Sequence, residues 1–394
     1  MSKSISDQVA VIGMGCTRFG EHWDKSTDDL VIEAAYEALK DAGIEQSDVD
    51  AAWIGTMDSG YAGFTLSSPL KTNYIPVTRV ENMCATGSEA FRQACYAVAA
   101  GAYDVALVVG VEKLKDSGYS GLVIDEGAND GTDPNLTAPA AFSFIAPAYF
   151  KKYGLDAETG KKVLARIAWK NHVNGAKNKK AQYQKEIPME AIMQSPMVAS
   201  PLGVLDCSGV ADGAAAAIIV RSEDAPKYQA QPMYVKALSV AVGPGEGMLT
   251  QDFDFTSIRE NAVAAEEAYR QAGIKNPAQE IDMAEVHDCF TPTELIIYED
   301  LGFSERGEGW KDVMSGKFDI NGDLPVNPDG GLKSFGHPIG ASGLRMLYEM
   351  YLQFQGRAGE RQLNDPKIGL THNLGGFPWQ CVSFISIIGK EKAQ

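Results

Sequence analysis

Ala34-Ala35-Tyr36-Glu37-Ala38, with Ala42-Gly43-Ile44 just beyond, returns later in the chain as Ala264-Ala265-Glu266-Glu267-Ala268 and Ala272-Gly273-Ile274. Seven of these eight positions are identical at one offset of 230 residues (264 − 34). Each copy has the spacing of an amphipathic helix closed by a glycine, the residue that tolerates the left-handed turn ending many helices. An acidic loop and a short apolar strand follow both, at 51–54 and 283–286. A fainter match runs in the same order: Cys84, Gly87 and Arg92 lie at an offset of 253 (337 − 84) from His337, Gly340 and Arg345. Both stretches keep a helical pattern for about four turns, an ordinary helix length. They lead to strands expected at 105–111 and 367–370. Two matches in one order predict a duplicated α/β unit with mainly buried sheets.

The first half reads as 1–113, continued by 201–225, and the second as 226–394. Residues 114–200 have no counterpart in the repeat and read as an inserted loop domain, with a helix expected over 157–173. The insertion carries Lys161, Lys162, Arg166, Lys170, Lys177, Lys179, Lys180 and Lys185 with no Asp or Glu between them. Such a run is either a solvated face or an attractor for a polyanionic ligand.

The rest of the chain repels anions. Over 394 residues, 35 Lys and Arg stand against 52 Asp and Glu, a formal charge of −17. That balance argues against nucleic acid or an anionic membrane as partner. No apolar run reaches the roughly 18 residues that a membrane span needs, and the first residues, Met1 to Asp7, lack the apolar core of a secretion signal. The six cysteines are too sparse for a disulfide scaffold and never approach Cys-x-x-Cys spacing, so no metal site is read and a reducing, cytoplasmic setting is expected.

Four segments carry candidate chemistry. Asn82-Met83-Cys84-Ala85-Thr86-Gly87-Ser88 follows a strand expected at 75–80 and precedes a helix expected at 89–100. Cys84 would then sit at a helix start, where free N–H groups and the dipole favour a thiolate. His337, in Gly336-His337-Pro338-Ile339-Gly340, reads as a helix cap with Pro338 in the first turn. The duplication sets His337 where Cys84 stands in the first half, so a pseudo-twofold axis would bring thiol and imidazole face to face, as thiolate activation requires. His287-Asp288-Cys289-Phe290 ends a strand, where ligands gather in α/β sheets; His287 can donate to an oxygen and Cys289 can exchange a proton. His372-Asn373-Leu374-Gly375-Gly376 is expected to follow the last core strand, with a glycine pair able to aim an N–H at an oxyanion.

Together and in this order, these segments resemble the thiolases, most closely the sterol-carrier-protein-type branch. Ser200-Pro201-Leu202-Gly203-Val204-Leu205-Asp206-Cys207-Ser208 and Asp212-Gly213-Ala214-Ala215-Ala216-Ala217 look like the family's return from loop domain to core. The resemblance implies a five-layered α/β/α/β/α fold, a homodimer or homotetramer, and synthesis or cleavage of a β-ketoacyl-CoA. It implies Cys84 as nucleophile, His337 as its base, Cys289 as second acid/base, and His287 in an enolate oxyanion hole. A second hole would be formed by the N–H groups of Cys84 and Gly375. CoA would be a cosubstrate, with no tightly bound cofactor, held by the basic loop region through Lys177, Lys179, Lys180 and Ser200. Where better-known thiolases place a cysteine near the last motif, this chain has Asn373, and Phe377-Pro378-Trp379-Gln380 follows Gly376. That suggests a reshaped pocket or a surface for a small zinc-ribbon/OB-fold partner, with which some relatives work. Two other readings stay open: a retro-aldolase on an acyl-CoA side chain, and a non-catalytic acyl-CoA-binding subunit.

Overall fold

The computed structural model describes residues 4–116, 137–228, 231–250 and 252–392, so residues 117–136 of the inserted stretch lie outside the described residues. The two repeated segments form the helices Thr27–Ala42 and Arg259–Ala272, closed by Gly43 (φ 70°) and Gly273 (φ 75°). Their matching alanines Ala34, Ala35 and Ala38, and Ala264, Ala265 and Ala268, are buried. On Gly15, an added Cβ would lie 2.2 Å from the Ala34 carbonyl oxygen.

The strands are β1 (Val9–Cys16), β2 (Ala51–Gly55), β3 (Val77–Val80), β4 (Val105–Glu112), β5 (Met197–Ala199), β6 (Leu202–Gly203), β7 (Gly213–Arg221), β8 (Met233–Val242), β9 (Met283–Glu285), β10 (Ile368–Phe377) and β11 (Gln380–Gly389). Nine of them follow the order β3-β2-β4-β7-β1-β8-β11-β10-β9, while β5 and β6 form a separate hairpin. Read outward from the β1–β8 contact, the order is a palindrome. β7 and β11 pair antiparallel to their neighbours, β2 and β9 run parallel to β4 and β10, and Val326 bridges Ala284 in parallel where β3 lies in the first half. Ala10↔Tyr234 and Val11↔Met233 pair the strands of the two halves.

Alternate residues of the first-half strands face opposite ways, as the pleat requires. Val9, Val11, Ala106, Val108, Ala215 and Ala217 meet the helices Thr86–Ala99 and Ser342–Phe354 in one core that also takes Met233, Val235 and Phe384 from the second half. The other face packs on Thr27–Ala42, and the second half packs on Arg259–Ala272. The result is helix, sheet, paired helices, sheet, helix.

Several boundaries differ from expectation. The 89–100 helix begins at Thr86 and the 157–173 helix runs to Ala176. The 367–370 strand is the ten-residue β10, so His372 to Gly376 lie within the strand rather than beyond it. His372 and Asn373 are fully buried there and hydrogen-bonded, His372 Nε2 to Asn261 Oδ1 at 2.9 Å. Their polarity made the segment read as a turn. Among the described residues, no helix is long and apolar enough to cross a membrane.

Candidate active site

Cys84 precedes the first helical residue by two, with Ala85 as N-cap. The turn that presents it is tight: Ala85 N–H donates to Asn82 O and Thr86 N–H to Met83 O, both at 3.1 Å, and Met83 takes φ 50°. β10 lies directly against this turn. A Cβ on Gly375 would sit 2.5 Å from Asn82 O and 3.2 Å from Cys84 N. The repeat mates Gly87 and Gly340 also meet, with only 2.6 Å between an added Cβ on Gly87 and the Gly340 oxygen. Glycine on both sides lets the two matched loops touch, and their functional groups converge.

Cys84 Sγ and one ring nitrogen each of His287 and His337 lie within 4.8 Å of one another. The imidazoles meet edge to face, 5.3 Å between centroids. Their tautomers follow from their partners. Ser342 Oγ–H donates to Pro338 O at 3.0 Å, so at its 2.7 Å contact with His337 Nδ1 it must accept. His337 therefore carries its proton on Nδ1, and its buried, unpartnered Nε2 is a base. Ser88 Oγ–H donates to Asn373 Oδ1 at 3.0 Å, which turns Asn373 Nδ2 toward His287 Nδ1 at 3.1 Å. His287 thus accepts on Nδ1 and carries its proton on Nε2, a donor. The site holds one basic and one acidic imidazole edge. His337 is not a helix cap, since the following helix starts only at Ser342 and Pro338 lies in the connecting loop.

Burial keeps both imidazoles neutral. It lowers His337 to about 3, with Arg345 adding to the effect. His287 is held well below its ordinary value by burial, then by His337, His372 and Arg345. Cys84 is raised to about 12 by burial and by the Glu112 charge, against the pull of the Cys84 and Gly376 N–H groups. The thiolate expected from the helix dipole therefore does not form at rest, because desolvation outweighs two amide donors. The second of those amides belongs to Gly376, next to Gly375, and Gly375 supplies the close approach. Cys289, raised well above its ordinary value by burial and then by Cys84, is a thiol held 3.8 Å from Thr293 Oγ1.

Sequence reading missed the residues that hold these loops. Asp288 accepts from Leu332 N at 2.6 Å, Lys333 N at 3.0 Å and Asn171 Nδ2 at 2.8 Å, tying the His287 loop to the one leading to His337. Glu112 accepts from Thr56, Met57, Asp58 and Ser59 and from Gly340 N–H at 3.0 Å, pinning the His337–Gly340 loop to the Cys84 half. A buried carboxylate survives only with such donors. Asp288 inside its His-Asp-Cys motif was the available signal; nothing marked Glu112.

The residues expected on CoA do not form one cluster. Lys180 is committed to Glu37 at 2.7 Å. Lys161 pairs with Asp206, Arg166 with Asp319, and Lys170 is buried against Glu294. Lys177 borders a surface hollow with Trp169 and Asp319. Lys179 and Ser200 are exposed, and neither lines the cavity beside His337. That cavity, about 90 Å³, is mostly apolar and is lined by Leu114, Val210, Phe290 and Ile339 among others. Phe377 and Trp379 are not in its wall; they stack on each other at 5.7 Å, and Trp379 meets Phe255 at 6.4 Å.

The thiolase N-terminal domain model matches residues 9–223 and the thiolase C-terminal domain-like model residues 244–388. The chain belongs to the thiolase family. It is 39% identical over 376 residues to an acetyl-CoA acetyltransferase of Methanothermobacter thermautotrophicus, covering 93% of this chain and 96% of that protein. It is 34% identical to sterol carrier protein 2 of Bos taurus, covering 94% of this chain and 70% of that protein. Among solved structures, an Ltp2-ChsH2(DUF35) aldolase superposes with a TM-score of 0.83 at 27% identity, covering all of both chains. With thiolase domains and acetyltransferase relatives of this closeness, the chain is an acyltransferase enzyme.

Proposed function

We propose that this thiolase cleaves a β-ketoacyl-CoA with CoA, or forms one by Claisen condensation, through a thioester on Cys84. The observation that carries the reading is the meeting of Cys84 Sγ, His287 and His337 within 4.8 Å, with the imidazoles in opposite tautomers. In cleavage, Cys84 Sγ attacks the β-carbonyl carbon while His337 Nε2 takes the thiol proton. The oxyanion lies against the N–H groups of Cys84 and Gly376. Its collapse breaks the bond between the α- and β-carbons, and the electron pair passes to an acetyl-CoA enolate whose oxygen His287 Nε2–H holds. Cys289 protonates the α-carbon, and acetyl-CoA leaves. The thiol of a second CoA then attacks the thioester. Its proton restores Cys289, and His337 returns a proton to Cys84 as the shortened acyl-CoA departs. Each oxyanion donor in such a scheme contributes on the order of 10²–10³ in rate.

CoA enters as cosubstrate, and the inserted stretch 114–200 is its proposed seat. Lys177 and Lys179 have no ion-pair partner among the described residues, which leaves them as proposed phosphate contacts, whereas Lys180 is spent on Glu37. A homodimer or homotetramer is proposed from the family. The experiment is Cys84→Ala assayed with acetoacetyl-CoA and CoA: turnover is expected to vanish, and surviving CoA-dependent cleavage overturns the assignment.

A second reading is favoured by one observation, the aldolase neighbour at 27% identity. A retro-aldolase would release its product without CoA and without acylating Cys84. The DUF35 component of that neighbour supports a small partner protein for this chain, tested by co-purification.

A further inference from the structure

The cavity beside His337 is lined from two separate apolar clusters. In one, Leu114, Val210 and Ile339 pack around Cys84. The other, the core of the second half, supplies Phe290. Its ring is 3% exposed and lies on Phe142, 4.9 Å between centroids and tilted by 32°. Phe290 is also fixed at its backbone: it bridges Cys207 in an antiparallel pair, and Ser208 N–H donates to Cys289 O at 2.8 Å. The pairing holds the Phe290 backbone, and the ring packs on Phe142.

An acyl group carried by Cys84 would run from the Leu114, Val210 and Ile339 cluster toward this aromatic wall. The free volume sets the scale. An apolar cavity of about 150 Å³ takes benzene, and the 90 Å³ here is smaller than that, which suits a short acyl chain. We infer that Phe290, backed by Phe142, is the specificity-determining residue that restricts this enzyme to short-chain β-ketoacyl-CoA esters. The inference rests on the thiolase reading proposed above and adds a substrate class to it.

The test measures kcat/KM for CoA-dependent cleavage across 3-ketoacyl-CoA esters of four to twelve carbons, for the wild type, Phe290→Ala and Phe142→Ala. The wild type should favour the four- and six-carbon esters. Phe290→Ala should raise the ratio of ten-carbon to four-carbon kcat/KM by at least about tenfold, the low end of what one methylene contributes to discrimination in an apolar pocket. Phe142→Ala should move the ratio in the same direction by letting the Phe290 ring retreat, which keeps the idea testable if Phe290→Ala fails to fold. A wild type that prefers long chains, or ratios unchanged in a folded variant, overturns the inference while leaving the thiolase reading intact. A wild type that cleaves no ester with CoA overturns both.

Discussion

Two histidines 5.3 Å apart would repel if both were charged, and burial keeps both neutral. The same burial fixes how the enzyme should respond to pH. An imidazole with its ordinary value of about 6.5 would be almost fully protonated at pH 5 and its basic fraction would fall about 30-fold. His337 is lowered to about 3 because burial disfavours the imidazolium, so it stays a base as pH falls through 6.5. Cys84, raised to about 12, stays a thiol over the same range. The proton therefore moves within the pair during attack, and neither His337 nor Cys84 should put a limb on kcat/KM between pH 5.5 and about 9, by the general rule that only groups titrating in the window shape the profile; Asp288, pushed up to about 7 by burial and by Glu294, is the nearby group that titrates there. Initial rates across that range decide it: an acid limb centred near 6.5 that persists in Asp288→Asn would show His337 to be solvated. What sequence could reach here was the membership of the site. The charge states were not legible, because they depend on partners such as Ser342 and Asn373 whose hydroxyl and amide look like any other in the string.

At the scale of elements, glycine placement decides whether the two halves can meet. Gly340 packs against backbone on two sides, where an added Cβ would come within 2.7 Å of Gly55 O and 2.6 Å of Val111 O. Neither oxygen is on a flexible side chain, so Gly340→Ala must push the His337 loop away from Cys84. Overpacking of this kind costs about 1–3 kcal/mol. The variant should lose that much in urea denaturation and lose kcat as well, while Gly20→Ala, with nothing within 4 Å, should match the wild type. Equal behaviour of the two would remove the steric argument. The repeat itself was legible because close helix-on-strand packing demands small residues, and Ala34, Ala38, Ala264 and Ala268 record that demand directly. The later part of β10 was not, because a stretch buried on both faces and carrying His372, Asn373 and two glycines has neither the alternation nor the β-branched content by which strands are read.

Across the whole molecule, duplication gives related positions opposite fates. Arg92 and Arg345 are repeat mates, yet Arg92 pairs with Glu89 on a side chain still 26% exposed, while Arg345 is fully buried against Glu285 and Asp329. Glu285 lies two residues before His287, and Asp329 holds Gly331 N–H at 2.8 Å in the loop leading to His337, so Arg345 joins the supports of both imidazoles. Removing one member of a buried pair leaves uncompensated charge and costs about 3–5 kcal/mol, against about 1 kcal/mol or less for an exposed pair. Arg345→Met should therefore destabilise the enzyme far more than Arg92→Met, read as the shift in denaturation midpoint, and equal losses would show that the buried acids need no counter-charge. The pH dependence supplies a second check. Glu285 is already raised well above its ordinary value by burial and by Asp329, with Arg345 opposing. Without Arg345 it rises further, so the folded variant binds a proton that the unfolded chain releases above about pH 4.3. Stability then increases as pH falls toward that value. The deficit of Arg345→Met should shrink as pH falls toward about 4.3, through the range where the variant's Glu285 holds more proton than the wild type's, whereas a deficit that merely reflected lost packing would stay constant.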